Sequence, residues 1–82
     1  MLSDIKAIAE HNGPVLIKDK LVEEIHELLA AIEQNDEDNI VEEIADVIIM
    51  CKQYVHSKGA ETQFHVTTLS KIARTKKRLG LF

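Results

Sequence analysis

Two short stretches of this 82-residue sequence carry the same arrangement of acids. Leu21-Val22-Glu23-Glu24-Ile25-His26-Glu27-Leu28-Leu29 is matched 19 residues later by Ile40-Val41-Glu42-Glu43-Ile44-Ala45-Asp46-Val47-Ile48. Both read apolar-apolar-Glu-Glu-Ile-x-acid-apolar-apolar. At ~100° per residue on a helix, Glu24 and Glu27 lie roughly 60° apart, one turn from each other. Glu43 and Asp46 repeat the geometry. If two such helices pack antiparallel, with the stripes centred on Ile25 and Ile44 in contact, a two-fold axis perpendicular to the pair relates the copies. Glu24, Glu27, Glu43 and Asp46 then converge on one edge. Four converging carboxylates repel unless a cation neutralises them. Hard oxygen donors of this kind suit Mg²⁺, with Mn²⁺ as a substitute. Carboxylate-held Mg²⁺ keeps waters and takes up substrate phosphates as well. The repeat therefore points to a Mg²⁺ site for a phosphate-bearing ligand.

Acids at i and i+3 on a helix more commonly form a solvated face. Glu23 and Glu42, almost opposite the apolar stripes, fit that plain description. The matched quartet does not, because the cations that would stabilise a solvated face are missing. No basic residue lies between Lys20 and the end of the first stretch's helix, and none precedes Lys52 in the second.

The elements that must carry these acids are helices. Asn12-Gly13-Pro14 breaks the chain, since the residue before proline resists the α region. Before it, Ser3–Glu10 is expected as a short helix with Ser3 as N-cap. After it, a helix is expected from Pro14 or Val15 to Glu33, with Leu21, Val22, Ile25, Leu28, Leu29 and Ile32 as its inner stripe. Gln34 to Asp38 is a short polar loop in which Asp36 or Asp38 can cap the next helix. That helix runs to about Ser57, with Ile40, Val41, Ile44, Val47, Ile48, Cys51 and Val55 inward and Ile49 and Met50 pointing away. Gly59 sits where a helix C-cap glycine belongs. Glu61–Leu79 is expected as a fourth helix with Val66, Leu69, Ile72 and Ala73 inward, although Thr67-Thr68 are weak helix formers. The expected fold is one all-α domain, residues 1–82. An antiparallel helical hairpin forms its core, with flanking helices, in a four-helix-bundle type of arrangement. A chain this short buries only about 60% of its unfolded surface, so a homo-oligomer, dimer or tetramer, is expected to complete the core.

Composition narrows the function classes. Hydrophobic residues at 45% and charged residues at 29% are a soluble globular balance. The longest apolar runs, Val47 to Cys51 among them, fall far short of the ~20 residues a membrane helix needs. The N-terminus has no basic-then-apolar leader pattern. Cys51 is the single cysteine, which excludes an intrachain disulfide framework and a cysteine zinc site and suits a cytoplasmic location. A net charge of −4 argues against binding nucleic acid through its phosphates. The charge is segregated: 11 of the 14 acids lie between Asp19 and Asp46, and five of the 10 basic residues between Lys71 and Arg78. His26 is expected on the surface, and the four histidines show no metal-ligand spacing.

The pairing Glu23-Glu24-x-x-Glu27, 15 residues, Glu43-x-x-Asp46 resembles the ExxE…ExxD signature of the MazG-like all-α nucleoside triphosphate pyrophosphohydrolases. Lys20-Leu21-Val22 before it and Glu42-Glu43-Ile44-Ala45-Asp46-Val47 around its second half are also similar, over about Lys18 to Tyr54. The resemblance implies hydrolysis of a nucleoside triphosphate, NTP or dNTP, to the monophosphate and pyrophosphate. It implies Glu24, Glu27, Glu43 and Asp46 as Mg²⁺ ligands and Glu23 as the residue that orients or deprotonates the attacking water. Lys71 and Arg78 correspond to basic residues that help hold phosphates, while Thr75 stands where the family has Asn. The implied partner is a nucleoside triphosphate, with the cleansing of nucleotide pools as its use. Many relatives stack the base on Trp, and this chain has none. Two other classes fit the small size and the absent Trp: a non-catalytic helical interaction module, and a nucleotide-binding sensor.

Overall fold

The computed structural model describes residues 2–82, which form three helices and, among the described residues, no strand. They are α1 (Leu2–Glu33), α2 (Glu37–Ser57) and α3 (Glu61–Arg78).

Asn12-Gly13-Pro14 breaks α1 as its sequence demands. Gly13 takes φ 78°, ψ 161°, a left-handed φ that a side chain would strain, and Pro14 follows with no N–H to give. The two arms of α1 run in opposite senses along α2. Ile5 and Ile8 share a groove with Ala45, Ile48 and Ile49, and Asn12 Nδ2 donates to Gln53 Oε1 at 3.1 Å, so residues 2–12 run with α2. Ile17 clusters with Met50, and Glu24 and Glu27 meet Glu43 nearer the connecting turn, so residues 14–33 run against it. The expected first and second helices are these two arms. Ser3 is not a cap, because α1 already begins at Leu2.

The hairpin turn is built as expected. Asp36 accepts from Asn39 N at 3.4 Å and caps α2, and Asn35 takes a positive φ of 53°, which Asn tolerates. Gly59, φ 62°, follows the C-cap of α2.

The hairpin seam differs from the expected one. Residues Ile17, Leu21, Glu24, Leu28 and Ala31 recur at alternating spacings of four and three and are the more shielded positions of α1's second arm. Glu43, Val47, Met50 and Tyr54 answer them on α2. The stripes centred on Ile25 and Ile44 do not meet. Val22, Ile25, Leu29 and Ile32 on one helix, and Val41, Ile44 and Ile48 on the other, are all at least 40% exposed. The reason is angular: the seam stripe lies roughly 100° around each helix from the more hydrophobic one. Met50, expected to point outward, is buried with Ala9 and Ile17, and Cys51 is only half-buried.

The expected four-helix packing is not formed by a single chain. Glu61 and Phe64 share a shallow groove with Leu2, Lys52 and Val55. Beyond that first turn α3 leaves the body of the molecule, and every residue from Thr62 onward is exposed, Val66, Leu69 and Ile72 included.

One polar clamp joins the three helices where α3 departs. His56 Nδ1 lies 2.8 Å from Glu61 Oε2, and His56 Nε2 lies 3.3 Å from Glu10 Oε1. The Glu61 hydrogen bond is the main cause holding the imidazole above its ordinary 6.5, and in return it holds the Glu61 carboxyl below 4.5. The folded state thus binds the His56 proton more tightly than the unfolded chain. This stabilisation is complete below about pH 6.5 and lost as pH rises through the higher folded value. Glu61's contribution is present above about pH 4.5 and lost as pH falls through its lower folded value. The clamp is therefore strongest between these limits. Melting scans of wild type and His56→Gln should diverge most inside this window and approach one another on its alkaline side; parallel curves would show that the clamp contributes nothing.

Candidate metal centre

The shift of the hairpin seam changes where the acids lie. Glu24 and Glu43 are on the seam itself, each partly buried, with Oε2 of both shielded from solvent and without a hydrogen-bond partner. Glu27 is exposed on the flank one turn beyond Glu24, and Asp46 is partly buried one turn beyond Glu43. Glu24, Glu27 and Glu43 each offer a carboxylate oxygen, all within 4.8 Å of one another. Asp46 is outside that tight trio but close enough to act on the charge of both Glu24 and Glu43. Of the four acids expected to converge, three come together and Asp46 stays beside them. The expected arrangement on an edge beside touching apolar stripes is not present, because two of the acids occupy seam positions that apolar side chains usually fill.

Burial is the first cause of the electrostatic strain. It pushes the Glu24 carboxyl from 4.5 up to about 7, with the neighbouring carboxylates of Glu27, Asp46 and Glu43 adding to it. The Glu43 carboxyl is also raised, by burial first and then by Glu27 and Asp46. Among the described residues, no Lys or Arg is paired with any of these four acids. Lys20, one turn before Glu24, pairs elsewhere: its Nζ is 4.0 Å from Glu23 Oε2, both well exposed.

Two shielded oxygens with no donor, inside an all-carboxylate cluster, match what a hard divalent cation supplies: positive charge and coordination in one body. The donor set fits Mg²⁺ or Mn²⁺ and, lacking imidazole or thiolate, does not favour softer metals.

The remaining expected site residues lie elsewhere. Glu23 sits outside the trio, one turn before Glu27 on the exposed flank of α1. Lys71 and Arg78 are not brought to the acids at all; both are exposed on the part of α3 that leaves the body. The expectation that they complete a phosphate site is therefore not met by one chain. The sequence reading missed the polar pair Asn12–Gln53 beside Met50, where Gln53 is buried and also donates to Met50 Sδ at 3.4 Å. Gln53, one turn after Ile49 and Met50, was the available signal.

Residues 12–79 match the MazG nucleotide pyrophosphohydrolase domain family, a span that includes all four acids. The chain belongs to this family. No curated protein and no solved structure matches it. Membership places the chain among enzymes that act on nucleotides and use a divalent metal, and the carboxylate trio is where this member has the donors for one. The match begins at Asn12, so residues 2–11 of the arm that packs along α2 ahead of Gly13 lie outside it. Among the described residues, no helix is long and apolar enough to cross a membrane.

Proposed function

We propose that this chain is a Mg²⁺-dependent nucleoside triphosphate pyrophosphohydrolase, converting a (d)NTP and water to the (d)NMP and pyrophosphate. The observation that carries it is the cluster itself: Glu24, Glu27 and Glu43 converging at one seam and its flank, two of their oxygens shielded and unpartnered, and no Lys or Arg paired with them among the described residues. Such a cluster is electrostatically unfavourable in the metal-free chain, and a binding role for it offsets that cost.

Glu24 and Glu43, partly buried on the seam, would hold the metal from the inner side. Glu27 and Asp46 complete the charge from the flank that opens to solvent. Mg²⁺ bound there would neutralise triphosphate oxygens and lower the pKa of a bound water, and Mn²⁺ can replace it. Glu23, one turn from Glu27 on the same open flank, is the residue we assign to orient or deprotonate the attacking water. The chain offers no covalent nucleophile in the cluster, and the proposed reaction needs none.

The uncovered apolar faces of α1, α2 and α3 support self-association into a homo-oligomer, dimer or tetramer, which completes a bundle of four-helix type. The substrate class fits a cytoplasmic enzyme that removes unwanted nucleotides. Product analysis tests the reading directly: monophosphate and pyrophosphate are expected with Mg²⁺, and neither after chelation.

A further inference from the structure

Little joins α3 to the body of the molecule. Lys58, Gly59 and Ala60 connect it to α2, with Gly59 at a left-handed φ of 62° and Ala60 giving the N-terminus of α3 no side-chain cap. Of its first turn, Glu61 and Phe64 share the shallow groove with Leu2, Lys52 and Val55, and Phe64 is still 46% exposed. Glu61 carries the side-chain hydrogen bond that ties α3 down, to His56 Nδ1 at 2.8 Å. The other nitrogen of the same ring, Nε2, lies 3.3 Å from Glu10 Oε1 on α1. One imidazole thus bridges all three helices beside a glycine that can pivot.

Two carboxylates on one imidazole demand its charged form. Both ring nitrogens donate only in the imidazolium; a neutral ring has one N–H and turns a lone pair toward the second carboxylate. His56 also stands in the last turn of α2, where the helix dipole favours a cation. From α1, Glu10 faces the ring and Lys6 acts on Glu61 through its charge. From α2, Lys52 lies one turn before His56 and shares the groove with Glu61, while Lys58 is turned to the Tyr54 ring, 5.4 Å from its centroid. From α3, Glu61 faces the ring and His65 is exposed one turn beyond it. The hydrogen bond from Glu61 first, with Glu10 adding to it against the effect of burial, holds the imidazole above its ordinary 6.5. The arm that carries Glu10 has anchors of its own: Ile5 and Ala9 are buried, and Asn12 bonds Gln53. α3 shares none of these anchors, so it is the element free to move when the bridge weakens.

We infer that His56 is a proton-operated latch on α3: the imidazolium holds Glu61 and Glu10 together and fixes the direction in which α3 leaves the body, and loss of the proton frees α3 to pivot at Gly59. The latch is closed at low pH and opens as pH rises through the raised value of the folded state. The segment it directs carries Lys71, Arg74, Lys76, Lys77 and Arg78, five of the 10 basic residues in the chain. Protonation of one side chain therefore decides where half of the positive charge is held relative to the acidic hairpin. The latch lies beyond the catalytic reading and does not depend on it, since it needs neither metal nor nucleotide.

The test is the distance between spin labels on the hairpin and on α3. The full chain carries Cys51→Ser with Glu33→Cys and Ser70→Cys, both label positions being exposed, and is diluted into unlabelled chain so that only distances within one chain are read. A narrow distribution is expected at pH ~5.5 and one at least roughly twofold broader at pH ~9. Adding His56→Gln, which keeps a neutral hydrogen-bonding side chain, should give the broad distribution at both pH values. So should Glu61→Gln, in which His56 and Glu10 remain. Glu61 lies toward the surface, so that second variant keeps the test decisive however His56→Gln folds. The Glu24 carboxyl, pushed up to about 7, titrates in the same range, but it is present in every one of these proteins, and the difference between them isolates the latch. A distribution that is the same at the two pH values without either variant overturns the inference. A pH response that persists in His56→Gln or in Glu61→Gln overturns it as well, because the sensor would then be another group.

Discussion

Glu24→Gln should melt at a higher temperature than wild type when both are metal-free near pH ~8, and should lose most of the Mg²⁺ response of its melting temperature. The Glu24 carboxyl is pushed up to about 7 from 4.5, so the folded chain prefers it protonated while the unfolded chain does not. Ionisation therefore opposes folding, and this group's contribution falls as pH rises from about 4.5 to about 7 and stays low above that. Glutamine imitates the neutral form in nearly the same volume. Each kcal/mol gained moves the melting temperature of a domain this size by about 4–8 °C, and at least one such step is expected. The gap between the two proteins should close as the pH approaches 4.5, where the unfolded carboxyl protonates as well. Mg²⁺ should reverse the order near pH ~8, because wild type alone gains the full binding energy. Scans with EDTA and with Mg²⁺ at the two pH values measure all of this. A metal-free Glu24→Gln that melts below wild type would mean that Glu24 is already satisfied in the folded chain.

The larger effect is on rate. Glu27→Gln and Asp46→Asn should each lower turnover by at least about 10²–10³-fold, the scale of removing one group that stabilises charge in a transition state. Both side chains lie on the open flank rather than deep in the seam, so their amides should leave helicity intact. Glu27 belongs to the tight trio, whereas Asp46 acts on Glu24 and Glu43 through its charge. Glu27→Gln should therefore weaken Mg²⁺ binding more strongly of the two. Glu23→Gln supplies the contrast: it should lower kcat while leaving the Mg²⁺-dependent melting shift in place, since Glu23 is outside the trio and beside Lys20. Turnover retained in both Glu27→Gln and Asp46→Asn would remove the carboxylate cluster from the chemistry.

The acids could be read from the sequence because the repeat imposes symmetry. Two copies of one pattern, 19 residues apart and joined by a short turn, must bring equivalent positions together in any antiparallel hairpin. The break at Gly13, the cap at Asp36 and the end of α2 before Gly59 are local effects of proline, Asx chemistry and glycine, and those too were legible.

What failed was the assumption that the most hydrophobic stripe of each helix faces the other helix of its own chain. Ile25 and Ile44 obey the hydrophobic effect only if something outside the chain covers them. Within one chain the seam instead uses Ile17, Leu21, Leu28 and Met50, with Glu24 and Glu43 admitted among them. Periodicity cannot tell an intrachain face from an intersubunit face, since both are apolar for the same reason. Lys71 and Arg78 were expected at the phosphates from the family resemblance alone, and one chain does not bring them to the acids. A helix pattern sets which residues share a face but not which way the helix leaves its last turn, and here α3 departs from the body after the His56–Glu61 contact.

The central claim is that the acid cluster holds a divalent metal for pyrophosphohydrolysis. It is tested most directly by identifying the products from the standard NTPs and dNTPs, with dUTP, in Mg²⁺ and again in EDTA. Monophosphate and pyrophosphate in equal amounts, abolished by EDTA, are the expected result, and the rates across the panel would rank the bases. Diphosphate with orthophosphate would mean that a different phosphoanhydride bond is cut, and that result, like product formation undiminished in EDTA, would contradict the account.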